Sequence, residues 1–216
     1  RQWVSCLAGD GTGTGIDIGD SNVRYLGGTR GYLLRSDNGF SVAYNSAFVL
    51  LSGAAGAAFV SPFEQHPTNA NIIYAGDNVI KRSANKGVSF SPLPSGLSGT
   101  HFLDISANAA SIRIYAIGNN GAVHSGDDGV SWIEVNSPAG TLLNSFSGVD
   151  DSATVYATVS GYNDGNKVYK STNAGDSWTN ITGDLPNIIT YKILHKADSN
   201  DETLFVGTEL GVYWKN

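Results

Sequence analysis

The residues best suited to chemistry are acids spread along the chain, and their pairing would decide whether the protein hydrolyses glycosidic bonds. Such hydrolysis requires two carboxylates, about 5.5 Å apart for retention of configuration or about 6.5–9.5 Å apart for inversion. Any six acids gathered around one small site would bring some pair into that range, so their number alone does not indicate an enzyme. The acids are Asp10, Glu64, Asp77, Asp104, Asp164 and Glu209.

Sugar recognition is a second chemistry that the sequence offers, in the stretch Ser-Gly-Tyr-Asn-Asp-Gly-Asn at 160–166. An aromatic ring covers the apolar faces of sugars, while amides and carboxylates meet their hydroxyls. These residues can equally have no part in binding. Tyr162 and Asp164 can be plain turn residues, and Arg30, in another loop, can be a solvated basic residue. The ligand-binding candidates are Arg30, Asp77, His101, Asp104, Tyr162, Asp164, Tyr191 and Glu209.

Other functions lack their sequence signatures. The formal charge of −6 argues against a nucleic-acid backbone as partner, and no apolar run reaches the about 18 residues of a membrane span. The glycine-rich run 9–15 precedes no helical pattern, which makes a dinucleotide site a poor interpretation. The single cysteine, Cys6, excludes a disulfide framework, and no metal motif is present. We therefore expect no cofactor and no metal.

A recurring eight-residue pattern, Ser-x-Asp/Asn-x-Gly-x-Ser-aromatic, organises the chain. Its copies begin at Arg35, Ser83, Ser125 and Ser171, and the first copy lacks both the leading serine and the aromatic. Each glycine tolerates the positive φ of a tight turn, and each third residue is placed to accept hydrogen bonds from backbone N–H groups of the turn. The glycines are Gly39, Gly87, Gly129 and Gly175, and the third residues are Asp37, Asn85, Asp127 and Asn173.

A second signal repeats with a similar period of about 45 residues. Short apolar runs reach an aromatic and then a glycine or other turn-former, at Tyr25, Tyr74, Tyr115, Tyr156 and Phe205. Each unit therefore reads as four short strands A to D, with the eight-residue pattern between C and D, and no window has helical periodicity. Examples are strand A at 102–105, strand C at 167–170 and strand D at 131–135. Four strands in about 45 residues, repeated along the chain, predict an all-β fold of β-propeller blades.

The eight-residue copies resemble the Asp-box, or BNR repeat, of sialidases, sortilin-type receptors, xyloglucanase-type glycosidases and secreted bacterial surface proteins. The phrases at 7–11 and 206–213, Leu-Ala-Gly-Asp-Gly and Val-Gly-Thr-Glu-Leu-Gly-Val-Tyr, are also typical of large secreted bacterial members. In that family the boxes lie opposite the ligand face. The resemblance thus implies structural roles for Asp37, Asn85, Asp127 and Asn173, and a ligand face formed by the B–C and D–A loops. The arginine cluster and Arg-Ile-Pro element of sialidases are absent, as is the xyloglucanase aspartate in the turn 28–31.

The domain prediction is one propeller over residues 1–216, with about five four-stranded blades. The last blade, 189–216, lacks strand D, which residues 1–6 could supply because Gln2-Trp3 matches Ser177-Trp178. The alternative is that the chain is a piece of a longer propeller. Further domains of a larger parent chain would then be additional partners.

Three functions follow as hypotheses. The leading one is a non-enzymatic binding or scaffold propeller, secreted or displayed on a cell surface, that recognises a glycan or a protein ligand on the B–C/D–A face. The second is a glycoside hydrolase whose catalytic carboxylates lie at the mouth of the propeller's central channel, one of them with a raised pKa. The third is an assembly factor that grips a partner protein.

Overall fold

The computed structural model describes residues 11–39, 48–50, 59–100, 102–107, 112–138, 140–149, 153–196 and 202–216. Within these ranges the chain forms nineteen β-strands and no helix, which confirms the all-β prediction. None of the described residues belongs to a helix that could cross a membrane.

The strands form five sheets, in each of which neighbouring strands follow chain order. Sheet 1 contains β1 (Gly13–Ile16), β2 (Arg24–Gly27), β3 (Tyr32–Ser36) and β4 (Phe48–Leu50). Sheet 2 contains β5 (Phe63–Gln65), β6 (Ile73–Gly76), β7 (Ile80–Ser83) and β8 (Ser91–Pro92). Sheet 3 contains β9 (Phe102–Ala107), β10 (Ile112–Gly118), β11 (Gly121–Ser125) and β12 (Ile133–Glu134). Sheet 4 contains β13 (Leu143–Gly148), β14 (Val155–Val159), β15 (Val168–Ser171) and β16 (Thr179–Asn180). Sheet 5 contains β17 (Thr190–His195), β18 (Leu204–Thr208) and β19 (Gly211–Lys215).

The chain divides into two compact units. Unit 1 consists of Arg1–Leu103 with Gly118–Asn120 and holds sheets 1 and 2. Unit 2 consists of Asp104–Ile117 with Gly121–Asn216 and holds most of sheet 3 together with sheets 4 and 5. The predicted four-stranded repeat is confirmed for sheets 1 to 4, and the described residues of sheet 5 provide three strands. The residues predicted to complete that last blade, 1–6, lie outside the described part of the chain.

Each sheet has two different ends. At one end, here called the turn end, the first strand joins the second and the third joins the fourth. At the other, the loop end, the second strand joins the third, and the chain leaves for the next sheet. Because strands paired in chain order reverse direction at every step, the eight-residue patterns lie at turn ends and the predicted ligand loops at loop ends.

The eight-residue pattern folds into a turn built around its first serine. In sheet 4, the Ser171 hydroxyl donates to Asn173 Oδ1 (2.8 Å) and accepts from the Gly175 N–H (2.9 Å), while the Ser177 N–H donates to Asn173 Oδ1 (3.0 Å). Gly175 has φ +94° and the preceding Ala174 has φ +59°. The same bonds recur from Ser83 and Ser125. The turn also explains why β12 is shorter than the predicted strand at 131–135, since the Ser131 N–H is bonded to the turn carboxylate of Asp127.

The first copy of the turn is displaced by one residue from the sequence interpretation. Ser36 pairs with Arg24 as Ser83 pairs with Ile73, and the Ser36 hydroxyl donates to Asn38 Oδ1 (2.8 Å). Asn38, not Asp37, therefore occupies the acceptor position. Asp37 instead forms an ion pair with Arg35 (2.6 Å). The alignment of the four copies was wrong for the first one because it matched Gly39 with the glycines of the other copies, whereas strand pairing sets the register.

The repeated tyrosines belong to the hydrophobic cores. Tyr25, Tyr74, Tyr115 and Tyr156 are all buried. In unit 2, Tyr156 packs with Val168, Ile193, Leu204 and Val206. The turn tryptophan Trp178 stacks against Phe146 with ring centroids 6.3 Å apart, and its indole N–H donates to the Asn136 carbonyl.

The glycine-rich run near the N-terminus has a packing role where the structure describes it. The ring of Phe63 covers β1 so closely that a Cβ on Gly15 would lie 3.1 Å from the ring, and one on Gly13 would lie 3.3 Å away. These glycines make room for an aromatic ring within unit 1.

Candidate binding site

The loop ends of sheets 4 and 5 are joined by a hydrogen-bonded pair of side chains. Tyr162, in the loop between β14 and β15, donates its hydroxyl to Glu209 Oε2 (3.0 Å) in the turn between β18 and β19. Glu209 Oε1 accepts the Ile189 N–H (3.1 Å), and the Glu209 N–H donates to the Ile189 carbonyl (3.1 Å). Glu209 is thereby fixed by both its backbone and its side chain, and it fixes Tyr162 in turn.

The loop 160–166 has its own internal support. The Asn163 amide donates to the Ser160 carbonyl (2.7 Å), and the Asn166 N–H donates to the Asn163 carbonyl (3.0 Å). The amide of Asn180, in β16, donates to the Gly165 carbonyl (2.7 Å). A loop ordered in this way loses little further conformational entropy when a ligand binds.

A lysine that the sequence reasoning missed lies beneath this loop. Lys167 is 0% exposed, its ammonium donates to the Gly161 carbonyl (2.6 Å), and its Nζ lies 5.7 Å from the Tyr162 ring centroid. Burial lowers the pKa of Lys167, while the negative charges of Asp164 and Glu209 act in the opposite direction. The ammonium is therefore a support for the loop and is directed away from solvent.

Large side chains are exposed on the segments that carry or contact the pair. Tyr162 is 61% exposed and Tyr191, at the start of β17, is 59% exposed. Leu142 and Leu210 are 74% and 72% exposed, and the Leu142 carbonyl accepts the Ser160 N–H at the base of the loop. The Glu209 hydrogen bond raises the pKa of Tyr162, and burial and the negative charge of Glu209 act in the same direction. We call this region the Tyr162 surface, defined by Leu142, Tyr162, Asp164, Lys167, Tyr191, Glu209 and Leu210.

Four of the predicted ligand residues thus belong to one surface, namely Tyr162, Asp164, Tyr191 and Glu209. Asp104 is in unit 2 as well, on β9, where its Oδ2 accepts the Gly148 N–H (3.0 Å). Burial raises the pKa of Asp104 to about 6, against the opposing effects of that N–H and of Lys192. Asp104 therefore holds its proton to higher pH than an ordinary aspartate does.

Similarity to known proteins supports the propeller fold. A family model described as the DUF6242 beta propeller domain matches residues 71–213, about two thirds of the chain. The chain belongs to this family. No curated protein matches the sequence.

Solved structures of similar fold include two GH74 proteins. The GH74 enzyme of Niastella koreensis has a TM-score of 0.64 at 19% identity, covering 91% of this chain and 33% of that one. The GH74 xyloglucanase of Xanthomonas campestris has a TM-score of 0.60 at 18% identity, covering 94% of this chain and 37% of that one. A structure of YCF48 bound to D1 peptide has a TM-score of 0.59 at 14% identity, covering 94% and 64%. The chain spans about one third of the GH74 proteins, and at these identities the likeness shows the fold alone. The predicted β-propeller is confirmed.

Besides Asp104, two further predicted ligand residues, Asp77 and Arg30, are not part of the Tyr162 surface, and one cannot be placed. Asp77 is 1% exposed because its Oδ2 pairs with the Lys81 ammonium (2.5 Å) and its Oδ1 accepts the Val79 N–H (3.1 Å), so it stabilises its own turn in unit 1. Arg30, also in unit 1, is an exposed turn residue with φ +56°. His101 lies outside the described residues.

A separate apolar cavity of about 580 Å³ lies within unit 2, beside β16 and β19. Its walls include Val168, Ile181, Leu185, Leu204, Val206, Tyr213 and Trp214. Among the residues that the structure describes, no three His, Cys, Asp or Glu side chains are grouped to hold a metal ion.

Proposed function

We propose that this propeller domain is a binding module without catalytic activity, whose glycan or protein ligand docks on the Tyr162 surface. The observation that carries the proposal is the pre-ordered loop end of sheets 4 and 5, where exposed tyrosines are held by the Tyr162–Glu209 hydrogen bond. Exposed aromatic rings on a rigid scaffold are typical of ligand-binding sites.

The turn ends support a finer classification. The Ser-x-Asp/Asn-x-Gly turns, with hydrogen bonds to the serine hydroxyl and the Asp or Asn oxygen, are what the resemblance to Asp-box propellers leads us to expect. We therefore propose an Asp-box propeller, and by that likeness a secreted or cell-surface protein. In this classification the turn residues Asn85, Asp127 and Asn173 are structural, and the loop ends receive the ligand.

The test is labelled protein applied to a glycan array and a peptide array. Tyr162→Ala and Tyr191→Ala should each reduce the bound signal about tenfold or more, because truncating a central aromatic at an interface costs about 2 kcal/mol or more. Val130→Ala, which removes an exposed apolar side chain at a turn end, is the control and should bind as the unaltered protein does. Equal binding by all four proteins, or no binding to either array, would refute the proposal.

A glycoside hydrolase is the second candidate, favoured by the raised pKa of Asp104, which suits a general acid. The GH74 proteins of similar fold make xyloglucan a reasonable substrate to assay. Release of reducing ends that Asp104→Asn abolishes and Asp176→Asn leaves intact would establish this activity in place of the binding role. Absence of turnover would leave the binding module as the function.

A further inference from the structure

The exposed groups of the Tyr162 surface are more apolar than a sugar site requires. Two exposed leucines lie on the segments that contact or carry the Tyr162–Glu209 pair, since the Leu142 carbonyl accepts the Ser160 N–H and Leu210 follows Glu209. A leucine side chain neither forms hydrogen bonds nor presents a flat ring to a sugar. Exposed apolar clusters with polar surroundings mark protein interaction sites. The combination of two tyrosines with two leucines therefore favours a polypeptide.

The side-chain amides that a sugar would need are partly in use. The side-chain nitrogen of Asn163 donates to the Ser160 carbonyl (2.7 Å), and that of Asn166 donates to the Asp164 carbonyl (2.9 Å). Asn166 Oδ1 also accepts the Tyr169 hydroxyl (3.2 Å). Hydrogen bonds to the loop backbone fix the orientation of both amides and leave each nitrogen one further N–H, whereas an apolar side chain needs none of these groups.

The accessible charge on the surface is negative. Asp164 and Glu209 are exposed, while the Lys167 ammonium is held beneath the loop by the Gly161 carbonyl. Glu209 accepts two hydrogen bonds, and a carboxylate has about four acceptor positions, so both of its oxygens retain capacity. The formal charge of the whole chain, −6, has the same sign. A partner with positive charge is therefore complementary.

We infer that the Tyr162 surface binds a polypeptide segment in which a large apolar side chain lies beside a lysine or arginine. The apolar side chain packs among Leu142, Tyr191 and Leu210, and the basic group meets Glu209 and Asp164. This inference rests on the proposed binding function and names its ligand class.

The probe is an array of random-sequence octapeptides, read with the labelled full chain beside a glycan array. The peptides retained should be enriched in Leu, Ile, Phe or Tyr next to Lys or Arg. The strongest of these, synthesised with a fluorophore, is then titrated by anisotropy. Tyr191→Ala should weaken its binding about tenfold or more. Asp164→Asn should weaken binding about two- to fivefold at low salt and less at high salt, as expected for an exposed ion pair.

Matched variants separate the surface from general effects. Asp176→Asn removes the same charge from an exposed turn-end position, and Val130→Ala removes an exposed apolar side chain at a turn end; both should bind unchanged. Glycan binding without peptide binding, or enrichment of acidic peptides, would overturn this inference and leave the proposed function standing. Binding to neither array would overturn both.

Discussion

Gly175→Ala tests whether the repeated turn is fixed by both backbone conformation and packing. Gly175 has φ +94°, and a Cβ there would lie 2.7 Å from Cγ1 of Val135, a buried side chain that directly follows β12 of sheet 3. The left-handed backbone costs an alanine about 1–2 kcal/mol, and overpacking a filled site costs about 1–3 kcal/mol. We therefore expect the free energy of unfolding to fall by about 2–5 kcal/mol. Urea unfolding followed by tryptophan fluorescence measures it.

Gly183→Ala is the control that separates the two contributions. Gly183 also has positive φ, +61°, but a Cβ there would meet nothing within 4 Å. Only the conformational cost of about 1–2 kcal/mol applies. If Gly175→Ala destabilises the protein no more than Gly183→Ala does, then the contact with Val135 does not constrain the turn and the reasoning is wrong.

Three further predictions concern single side chains of unit 2. Ser171→Ala should lower the free energy of unfolding by about 1–3 kcal/mol because it leaves a buried N–H without an acceptor, whereas Ser177→Ala, at an exposed position, should cost clearly less; urea unfolding compares them. Hydrogen bonds from the Ser131 hydroxyl and N–H lower the pKa of Asp127 to about 2, so its stabilising effect is complete above about pH 4 and is lost as the pH falls towards 2. Asp127→Asn should therefore flatten the stability curve in that acid range, and an unchanged curve would contradict the assignment. Burial raises the pKa of Asp104 to about 6, so its contribution is complete below about pH 4 and is lost as the pH rises through 6; Asp104→Asn should remove this decline, as carboxyl NMR titration and unfolding at several pH values would show.

The repeated sequence pattern predicts most of this fold because each copy contains residues that the backbone of the turn requires. A glycine at positive φ and a serine hydroxyl with two partners leave few alternatives, and the three complete copies fold alike. The first copy shows the limit of that reasoning. Gly39 accepts a left-handed conformation at the position that Lys86 occupies in sheet 2, so the glycine alone does not define the register. Pairing of β2 with β3 defines it, and such long-range pairing is not visible in a short motif.

The candidate site was predicted less completely because its support comes from residues without a motif. Tyr162, Asp164, Tyr191 and Glu209 were selected by loop position and residue type. Lys167 was not, although strand pairing places it level with Tyr32, Val79 and Gly211 of other sheets. A lysine at a position otherwise filled by apolar or small residues is a signal that the repeat alignment contains.

Asp77 shows the opposite error, since an acid in a predicted ligand loop proved to be buried. Its lysine partner lies four residues further along the chain, which brings the ammonium back across the turn of a β-hairpin. Residue type and loop position do not reveal whether a carboxylate is buried against a partner, and only an exposed carboxylate with remaining acceptor capacity is available to a ligand.

The hydrogen bonds at the two ends of the sheets support the proposed division of structural and binding roles. The turn ends repeat one arrangement, in which side chains bond to the backbone of their own turn and stabilise it locally. At the loop ends, the loops between the second and third strands differ in length, from two residues between β10 and β11 to eight between β14 and β15. Because each turn holds its own hairpin without help from the loops, loop residues can vary without loss of the sheet. The long loop of sheet 4 is where exposed side chains are held by bonds to a second sheet, Tyr162 to Glu209, and such cross-sheet support is what a binding surface needs and a simple connection does not.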